Sequence, residues 1–382
     1  YDSANNNPLD NSYVRGNATG DIAESYDFFR YGVKTDINDT FSIGVLYDEP
    51  FGAAAEYKGD NNFVANTNPA DSVGEFADDE QPSGPLGNAI IGAEATTAGE
   101  NTKVEVRSEN LTAILGMKLG ADKNFQIYGG PVAQRFKSDV KLRGLAYGPA
   151  TSYTSHISPD QDYGWLAGIS YSKPEIALKA ALTYRSEIDH SMNIYESYPL
   201  APTLSGGKLP EIQTTNMEIT TPKSVNFDFQ TGINPTTLAT AKVRWVPWSD
   251  FAIVPPVYTE VSKAQYPEGL SLVSYDKDQW LVELGLAKRL SPALAVTGNI
   301  GWDSGAGNPV TSLGPIEGYY SAGLGAKYNL TENWAISAGG KYLWFGDAKG
   351  QIPNKTIVSD FEDNDGFALG VKLSYQAKQN FN

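Results

Sequence analysis

The chain has no cysteine among its 382 residues, and only two histidines and three methionines. It also lacks any run of about 18 apolar residues, which excludes a transmembrane helix. The missing thiols fit an oxidising exterior, where stray cysteines are a hazard. Cations are scarce too: 29 Lys and Arg stand against 45 Asp and Glu, for a formal net charge of −16. With no basic stripe, nucleic acid is argued against as a partner. No signal peptide is visible, and the opening Tyr1-Asp2-Ser3-Ala4-Asn5-Asn6-Asn7-Pro8 reads as mid-loop. A signal peptide and further sequence are therefore expected upstream of Tyr1 in the intact protein.

What is abundant is glycine (38), tyrosine (22), phenylalanine (15) and tryptophan (7). Their arrangement has a period of two. Phe367, Leu369, Val371, Leu373 and Tyr375 share one face, with Ala368, Gly370, Lys372 and Ser374 on the other. The same alternation recurs at Tyr320-Ala322-Leu324-Ala326-Tyr328, at Trp334-Ile336-Ala338 and at Trp280-Val282-Leu284-Leu286. Period two means β-strand. One large apolar face, one small or charged face and aromatics near the strand ends mark a membrane-spanning barrel with a polar interior. Because only half of each strand need be apolar, the mean hydropathy of −0.35 does not contradict a bilayer location.

Short polar turns (Asn38-Asp39, Ala121-Asp122-Lys123, Ser172-Lys173-Pro174, Asn234-Pro235-Thr236, Ser291-Pro292, Thr331-Glu332-Asn333) alternate with long polar segments. The long ones cover roughly 1–22, 58–102, 144–160, 193–214, 256–272, 304–316 and 347–362. Short turns on one side and long loops on the other is the outer-membrane arrangement. Strands are expected at 23–36, 40–57, 103–119, 124–143, 161–172, 175–192, 215–231, 237–255, 273–289, 293–303, 317–329, 333–346 and 364–376. Closure of an up-and-down barrel needs an even number, so the expectation is an all-β, antiparallel barrel with one further strand, about 14 in the intact protein. Residues 1–382 form a single barrel domain on this reading, and the vacant place lies between 23–36 and 364–376. The acid clusters Glu75-Asp78-Asp79-Glu80 and Asp360-Glu362-Asp363-Asp365 fall in loops. They read as solvated surface, or as divalent-cation binding near lipopolysaccharide, and the second lacks EF-hand spacing. No metal site or cofactor is assigned.

Prolines inside strands mark bulges or edges. Asp48-Glu49-Pro50-Phe51-Gly52 interrupts one strand, and Arg244-Trp245-Val246-Pro247-Trp248-Ser249-Asp250 interrupts another. At Gly129-Gly130-Pro131 the apolar parity changes, from Phe125 and Ile127 to Phe136, Val140 and Leu142. An inserted residue there would place Arg135, Lys137, Asp139, Lys141 and Arg143 on the inward face.

Three stretches resemble the FadL/TodX family of outer membrane transporters: Leu182-Thr183-Tyr184-Arg185-Ser186-Glu187-Ile188, Trp245-Val246-Pro247-Trp248-Ser249-Asp250-Phe251 and Tyr275-Asp276-Lys277-Asp278-Gln279-Trp280. The resemblance implies a monomeric barrel in the Gram-negative outer membrane, in contact with its lipid and lipopolysaccharide and plugged by an N-terminal hatch. It also implies a hydrophobic ligand, a fatty acid or hydrocarbon, that leaves sideways through a kinked wall strand. Pro50, Phe51 and Gly52 fall where that kink is implied. The family's ligand-landing loops correspond to 144–160 and 193–214, where Tyr147, Tyr153, Tyr195, Tyr198 and Leu200 would form a capture groove or pack on one another. Lys277 matches a head-group position, and Lys141 or Arg143 would supply the second cation. The hatch is not matched, and neither is the usual C-terminal phenylalanine: the chain ends Gln379-Asn380-Phe381-Asn382.

Lumen cations more often pair with neighbours than bind ligand. Arg185 and Glu187 share a face, which favours a structural pair, but Arg185 stays with Arg135, Lys141, Arg143 and Lys277 as a candidate for the ligand head group. The tryptophans Trp165, Trp280, Trp302, Trp334 and Trp344 read as interfacial girdles. His190 is flanked by Asp189 and Ser191, but adjacent strand residues point to opposite faces, so no local triad forms and no enzyme is expected. A general diffusion porin is the main rival, and an adhesin or phage-receptor role could coexist with transport.

Overall fold

A computed structural model describes residues 2–4, 15–25, 27–65, 85–314 and 316–377. The period-two segments form strands β1 (Tyr31–Asp36), β2 (Phe41–Asp48), β3 (Gly52–Glu56), β4 (Lys103–Leu119), β5 (Phe125–Lys141), β6 (Thr154–Lys173), β7 (Leu178–Arg185) and β8 (Ile188–Ser197). They continue as β9 (Ile212–Thr221), β10 (Ser224–Asn234), β11 (Thr237–Val246), β12 (Gln279–Arg289), β13 (Leu294–Asp303), β14 (Glu317–Asn329), β15 (Trp334–Gly346) and β16 (Asp365–Tyr375). The pairing path runs β16-β15-β14-β13-β12-β11-β10-β7-β6-β5-β4-β2-β1, every pair antiparallel between chain neighbours along the path. Thirteen strands lie on it, as the sequence pattern expects; β3 extends β2, β8 extends β7 and β9 extends β10. Among the described residues no ladder joins β1 to β16. This is an all-β transmembrane barrel wall of up-and-down topology. Among the described residues no helix is long and apolar enough to cross a membrane.

The apolar face points outward. Leu324, Leu369, Val371 and Phe367 are three-quarters exposed or more, which only a lipid surround makes favourable. Aromatics bound this belt. Trp302, Tyr320 and Trp344 stand opposite one another on β13, β14 and β15. At the other rim Phe125 packs on Tyr171 at 4.9 Å and Trp334 on Tyr375 at 4.9 Å. Trp334 and Trp344 lie on one strand, so the rims are separated by about 34 Å of strand, or about 26 Å of height at a tilt of about 40°, close to the thickness of an outer-membrane apolar band.

Above the upper rim the solvent outside the wall changes from lipid to water, and the side-chain pattern changes sign. On β5, Phe125 and Ile127 are exposed, whereas Phe136 and Val140 are buried and Arg135, Lys137, Asp139 and Lys141 are exposed. This corrects the expected inward face for those charges. No residue is inserted at Gly129-Gly130-Pro131: Thr112 pairs Val132 and Leu115 pairs Gly129, with equal steps on both strands. Glycine is needed there because a Cβ at Gly130 would lie 1.7 Å from the Ala113 carbonyl oxygen. The register slip occurs higher, between Phe136 and Ser138, where β6 carries the extra residue within Ser158-Pro159.

Strands also continue into segments expected as loops. β6 starts at Thr154, and β8 and β9 form a hairpin through much of 188–221. The segment 58–102 contains a helix, α1 (Pro85–Thr96), and 256–272 contains a second, α2 (Pro256–Ser262). Ile357–Phe361 pairs with Ala348–Gln351 and with Asp2–Ala4, which itself pairs with Arg15–Ala18. Of the second acid cluster, Asp360 pairs with Lys349 at 2.6 Å. The cluster at 75–80 lies outside the described residues.

Candidate functional site

Four features place the site: a packed extracellular cap, a broken wall strand, and two lumen cavities that meet at Tyr128. The cap forms because the inward faces of β5, β8 and β9 become apolar above the rim. Phe136, Val140, Met192, Ile194, Met217 and Ile219 are all buried and join one cluster with Tyr57, Phe63, Tyr147, Tyr153, Tyr198 and Tyr258. At its centre is Glu196, fully buried. Its carboxylate accepts from the Tyr153 hydroxyl at 2.8 Å and from the first-turn amides of α2, Val257 at 2.9 Å and Tyr258 at 3.1 Å. These bonds satisfy two helix-end donors and the charge at once. Burial, reinforced by Glu196, holds the Tyr153 phenol well above the ordinary tyrosine range, and burial alone pushes Tyr275 up to about 12. Both therefore stay neutral, Tyr153 as a donor to Glu196 and Tyr275 as packing surface against Trp248 and Phe251. Of the five residues assigned to a capture groove, Tyr147, Tyr153, Tyr198 and Leu200 are buried in this core and only Tyr195 is exposed. The groove expected there is filled by the protein's own side chains.

The wall break lies where Pro50 predicts it. Against β4, Asp48 pairs Asn110 and Gly52 pairs Arg107, so four steps on one strand oppose three on the other. One inserted residue makes a bulge, which tolerates a residue without an N–H. Phe51 holds the strand to β4: its N–H donates to Ser108 Oγ at 2.8 Å and its carbonyl accepts from the Ser108 N–H at 2.9 Å. The other side is different. β1 pairs β2 as far as Tyr31 with Tyr47, and contact resumes where Glu24 N–H donates to Ala54 O at 3.1 Å. Between these points residues 25–30 and 48–53 share no backbone ladder among the described residues; Phe29 N–H donates instead to the Glu49 carboxylate at 2.8 Å.

A lumen cavity of about 360 Å³ reaches from Pro50 and Phe51 across to Trp165, Arg185 and Ile188. Its lining carries Arg30, Arg185, Lys242 and Arg244 against Asp48 and Asp228, four cations to two carboxylates, in a chain whose net charge is −16. Asp228 stands opposite Lys242 in register, and Arg185 Nη2 lies 3.8 Å from Asp48 Oδ2. Arg244 Nε and Asp48 Oδ1 are buried with no hydrogen-bond partner among the described residues. An orphaned charged donor is costly unless an acceptor reaches it, and the Arg185 and Arg244 charges repel one another. A second cavity of about 360 Å³ lies lower in the lumen, lined by Ser42, Gln126, Ser170 and Lys179 among others. Both are lined by Leu46, Ile114 and Tyr128. The Tyr128 hydroxyl bonds Thr183 Oγ1 across β6, its ring lying over Gly168, where a Cβ would come within 2.4 Å of it.

The sequence-assigned cations separate in space. Arg185 lines the cavity, with Asp48 rather than Glu187 as its partner; Glu187 is exposed beyond the end of β7. Arg143 is buried, and four of its five N–H donors are engaged: Nε donates to Glu100 at 2.7 Å, Nη1 to the Leu142 and Tyr153 carbonyls and Nη2 to Thr154 Oγ1. It staples the cap and does not line the lumen cavity. Lys141 and Arg135 are exposed on the outer, water-facing side of β5. Lys277 is exposed in the loop before β12, outside the cavity lining, with its charge acting on Glu317. The head-group assignment of Lys277 is thereby corrected, since a solvated loop ammonium has little to gain from a ligand. The missed residues are Arg244, Lys242 and Arg30. Lys242 and Arg244 alternate with Val243 and Trp245, a sign of lumen placement that the sequence does carry.

Residues 144–378 match the family model described as outer membrane protein transport protein (OMPP1/FadL/TodX). The chain belongs to this OMPP1/FadL/TodX family. The crystal structure of a Pseudomonas aeruginosa FadL homologue superposes with a TM-score of 0.68 at 14% identity, covering 95% of this chain and 81% of that one. The Pseudomonas putida toluene transporter TodX gives 0.54 at 9% identity, over 92% and 82% of the two chains. The Ralstonia pickettii toluene transporter TbuX gives 0.53 at 10%, over 91% and 80%. No curated protein sequence matches the chain. As a FadL/TodX member the protein is a Gram-negative outer membrane β-barrel that transports hydrophobic compounds; the family is one of transporters rather than enzymes.

Proposed function

We propose that the protein carries long-chain fatty acids, or related hydrophobic acids, from the cell exterior into the plane of the outer membrane. The ligand is taken up at the capped extracellular face and held in the upper lumen cavity. Its carboxylate lies against Arg185 and Arg244, and its chain leaves sideways between residues 25–30 and the Pro50-Phe51-Gly52 bulge. The observation that carries this reading is the cavity itself. It joins a net-cationic cluster, one of whose donors is buried and unsatisfied among the described residues, to a stretch of wall where those residues form no ladder. Leu46, Phe51, Ile114, Val132 and Leu166 supply apolar surface for an alkyl chain. A neutral hydrocarbon would leave Arg244 Nε unpaired, whereas a carboxylate satisfies it with a charge-assisted bond. The same reading makes residues 1–382 one barrel domain working as a monomer in outer membrane lipid and lipopolysaccharide, supported by the outward apolar belt.

Calorimetry on the detergent-solubilised chain with oleate and with oleyl alcohol tests the head-group role. Arg185→Met and Arg244→Met are each expected to weaken oleate binding by about 1–3 kcal/mol, roughly ten- to hundredfold, and to leave the alcohol within about twofold. Equal losses for acid and alcohol would reject carboxylate recognition.

A further inference from the structure

The wall has a second seam, two strands (β4 and β5) along the pairing path from the strand that carries the Pro50 bulge. β6 pairs β7 down from Leu166 with Arg185, and Ser186 N–H still donates to Trp165 O at 2.9 Å. Pairing of β6 with β8 resumes only at Ile157 with Ile194. Between these points the stretches 158–164 and 187–193 are of equal length and share no ladder among the described residues, although β8 keeps β9 on its other side throughout.

Three metal-ligating side chains meet across this seam. Asp160 and Asp162 come from β6 and His190 from β8, with donor atoms all within 4.8 Å of one another. His190 Nδ1 lies 3.1 Å from Asp160 Oδ2 and 3.9 Å from Asp162 Oδ2. Metal–ligand bonds of about 2.0–2.2 Å set neighbouring donors about 3.0–3.5 Å apart in octahedral to tetrahedral sites, so the cluster needs only a small closure.

A separate set of contacts fixes the ring. His190 is fully buried, and its Nε2 lies 2.8 Å from Gln134 Oε1. That oxygen also accepts from Thr221 Oγ1 at 2.7 Å, while Gln134 Nε2 donates to Asn110 Oδ1 at 3.0 Å. Gln134, Thr221 and Asn110 are all buried. Oε1 is thus held as an acceptor, Nε2 carries the proton, and Nδ1 turns toward two carboxylates. A ligating histidine is held in this way, its second nitrogen donating to a fixed acceptor. An imidazole nitrogen and two carboxylates at one point call for a cation, either a proton on Nδ1 or a metal ion.

We propose that Asp160, Asp162 and His190 bind one divalent transition-metal ion of the Zn²⁺ class, which clasps β6 to β8 where the ladder is lost. An imidazole with two carboxylates suits such an ion and leaves positions for water. Gln134 and Thr221 also line the upper cavity, so the clasp stands one side chain away from it. The proposal does not depend on which hydrophobic compound is carried.

The test is titration of the full chain in detergent, stripped with chelator, with Zn²⁺ by calorimetry and with Co²⁺ by visible absorption. One equivalent is expected, with ligand-field bands of a nitrogen–oxygen site. His190→Ala and Asp162→Asn should lower affinity at least a hundredfold. Gln134→Leu, which touches no metal, should lower it about ten- to hundredfold through the lost second-nitrogen contact. Zn²⁺ should slow amide hydrogen exchange in 158–164 and 187–193 of the wild type only. Heat-modifiable migration on gels verifies that each variant is a folded barrel; Asp162→Asn, at a half-exposed position of unchanged size, serves if His190→Ala does not fold. No stoichiometric binding by the wild type would overturn the proposal, as would undiminished binding in folded His190→Ala or Asp162→Asn.

Discussion

Arg244 shows what a single lumen side chain can decide. Its Nε is buried without a partner among the described residues, beside a like charge on Arg185 and within a cavity whose formal charge opposes that of the whole molecule. Glu196 is the opposite case, a buried carboxyl group that accepts from the Tyr153 hydroxyl and from the Val257 and Tyr258 amides. Glu196→Ala strands those donors and is expected to lower cap stability by about 1–3 kcal/mol. Limited proteolysis should then cut near α2 faster, while the barrel keeps its heat-modifiable migration; unchanged cleavage would count against Glu196 as the keystone. At this scale the sequence was legible only in part. Arg185 was recognised as a lumen cation, but its partner Asp48 is remote in sequence, and no local pattern names it. Lys277 was misplaced because matching residue types cannot tell a strand end from the solvated loop before it. Arg143 was misread because its four acceptors come from three separate segments.

Strands carry the next level. Periodicity located the strands on the pairing path, and β4 and β14 begin and end where the pattern does, because lipid outside and polar lumen inside enforce alternation. It failed on β5 above the rim for a physical reason. The parity of the backbone is continuous, but the outside solvent becomes water, so the apolar face turns from outer to inner without any inserted residue. A pattern reader who holds the environment fixed sees a bulge instead. Gly130→Val is accordingly expected to prevent assembly, since its side chain would meet the Ala113 carbonyl oxygen; the yield of heat-modifiable protein in membranes reads this, and wild-type yield would contradict the close approach. Pro50 was legible because proline has few places in a wall. Gly52→Trp is expected to leave the barrel folded and oleate binding within about threefold, while reducing uptake into cells at least tenfold. Unaltered uptake would remove lateral exit at this bulge.

Across the whole molecule the same alternation serves three surroundings: lipid around the belt, water around the cap and a polar lumen between. Nearly all of the barrel class was readable from that. The cap was not, since its core is assembled from α1, α2, the β8–β9 hairpin and segments over 250 residues apart, such as Tyr57, whose hydroxyl donates to Ser312 O at 2.5 Å. Tyr128 stands between the two cavities and is lined up with Thr183. Tyr128→Ala is expected to join them and to raise single-channel conductance in planar bilayers, with no change if another residue forms the constriction. The most direct test of the account is a structure of the full chain with a long-chain fatty acid brominated along its alkyl tail. The account places the bromine signal beside Phe51 and Leu46, the carboxylate on Arg185 and Arg244, and no ladder between 25–30 and 48–53. A ligand held elsewhere, or continuous pairing across that stretch with ligand bound, would contradict it.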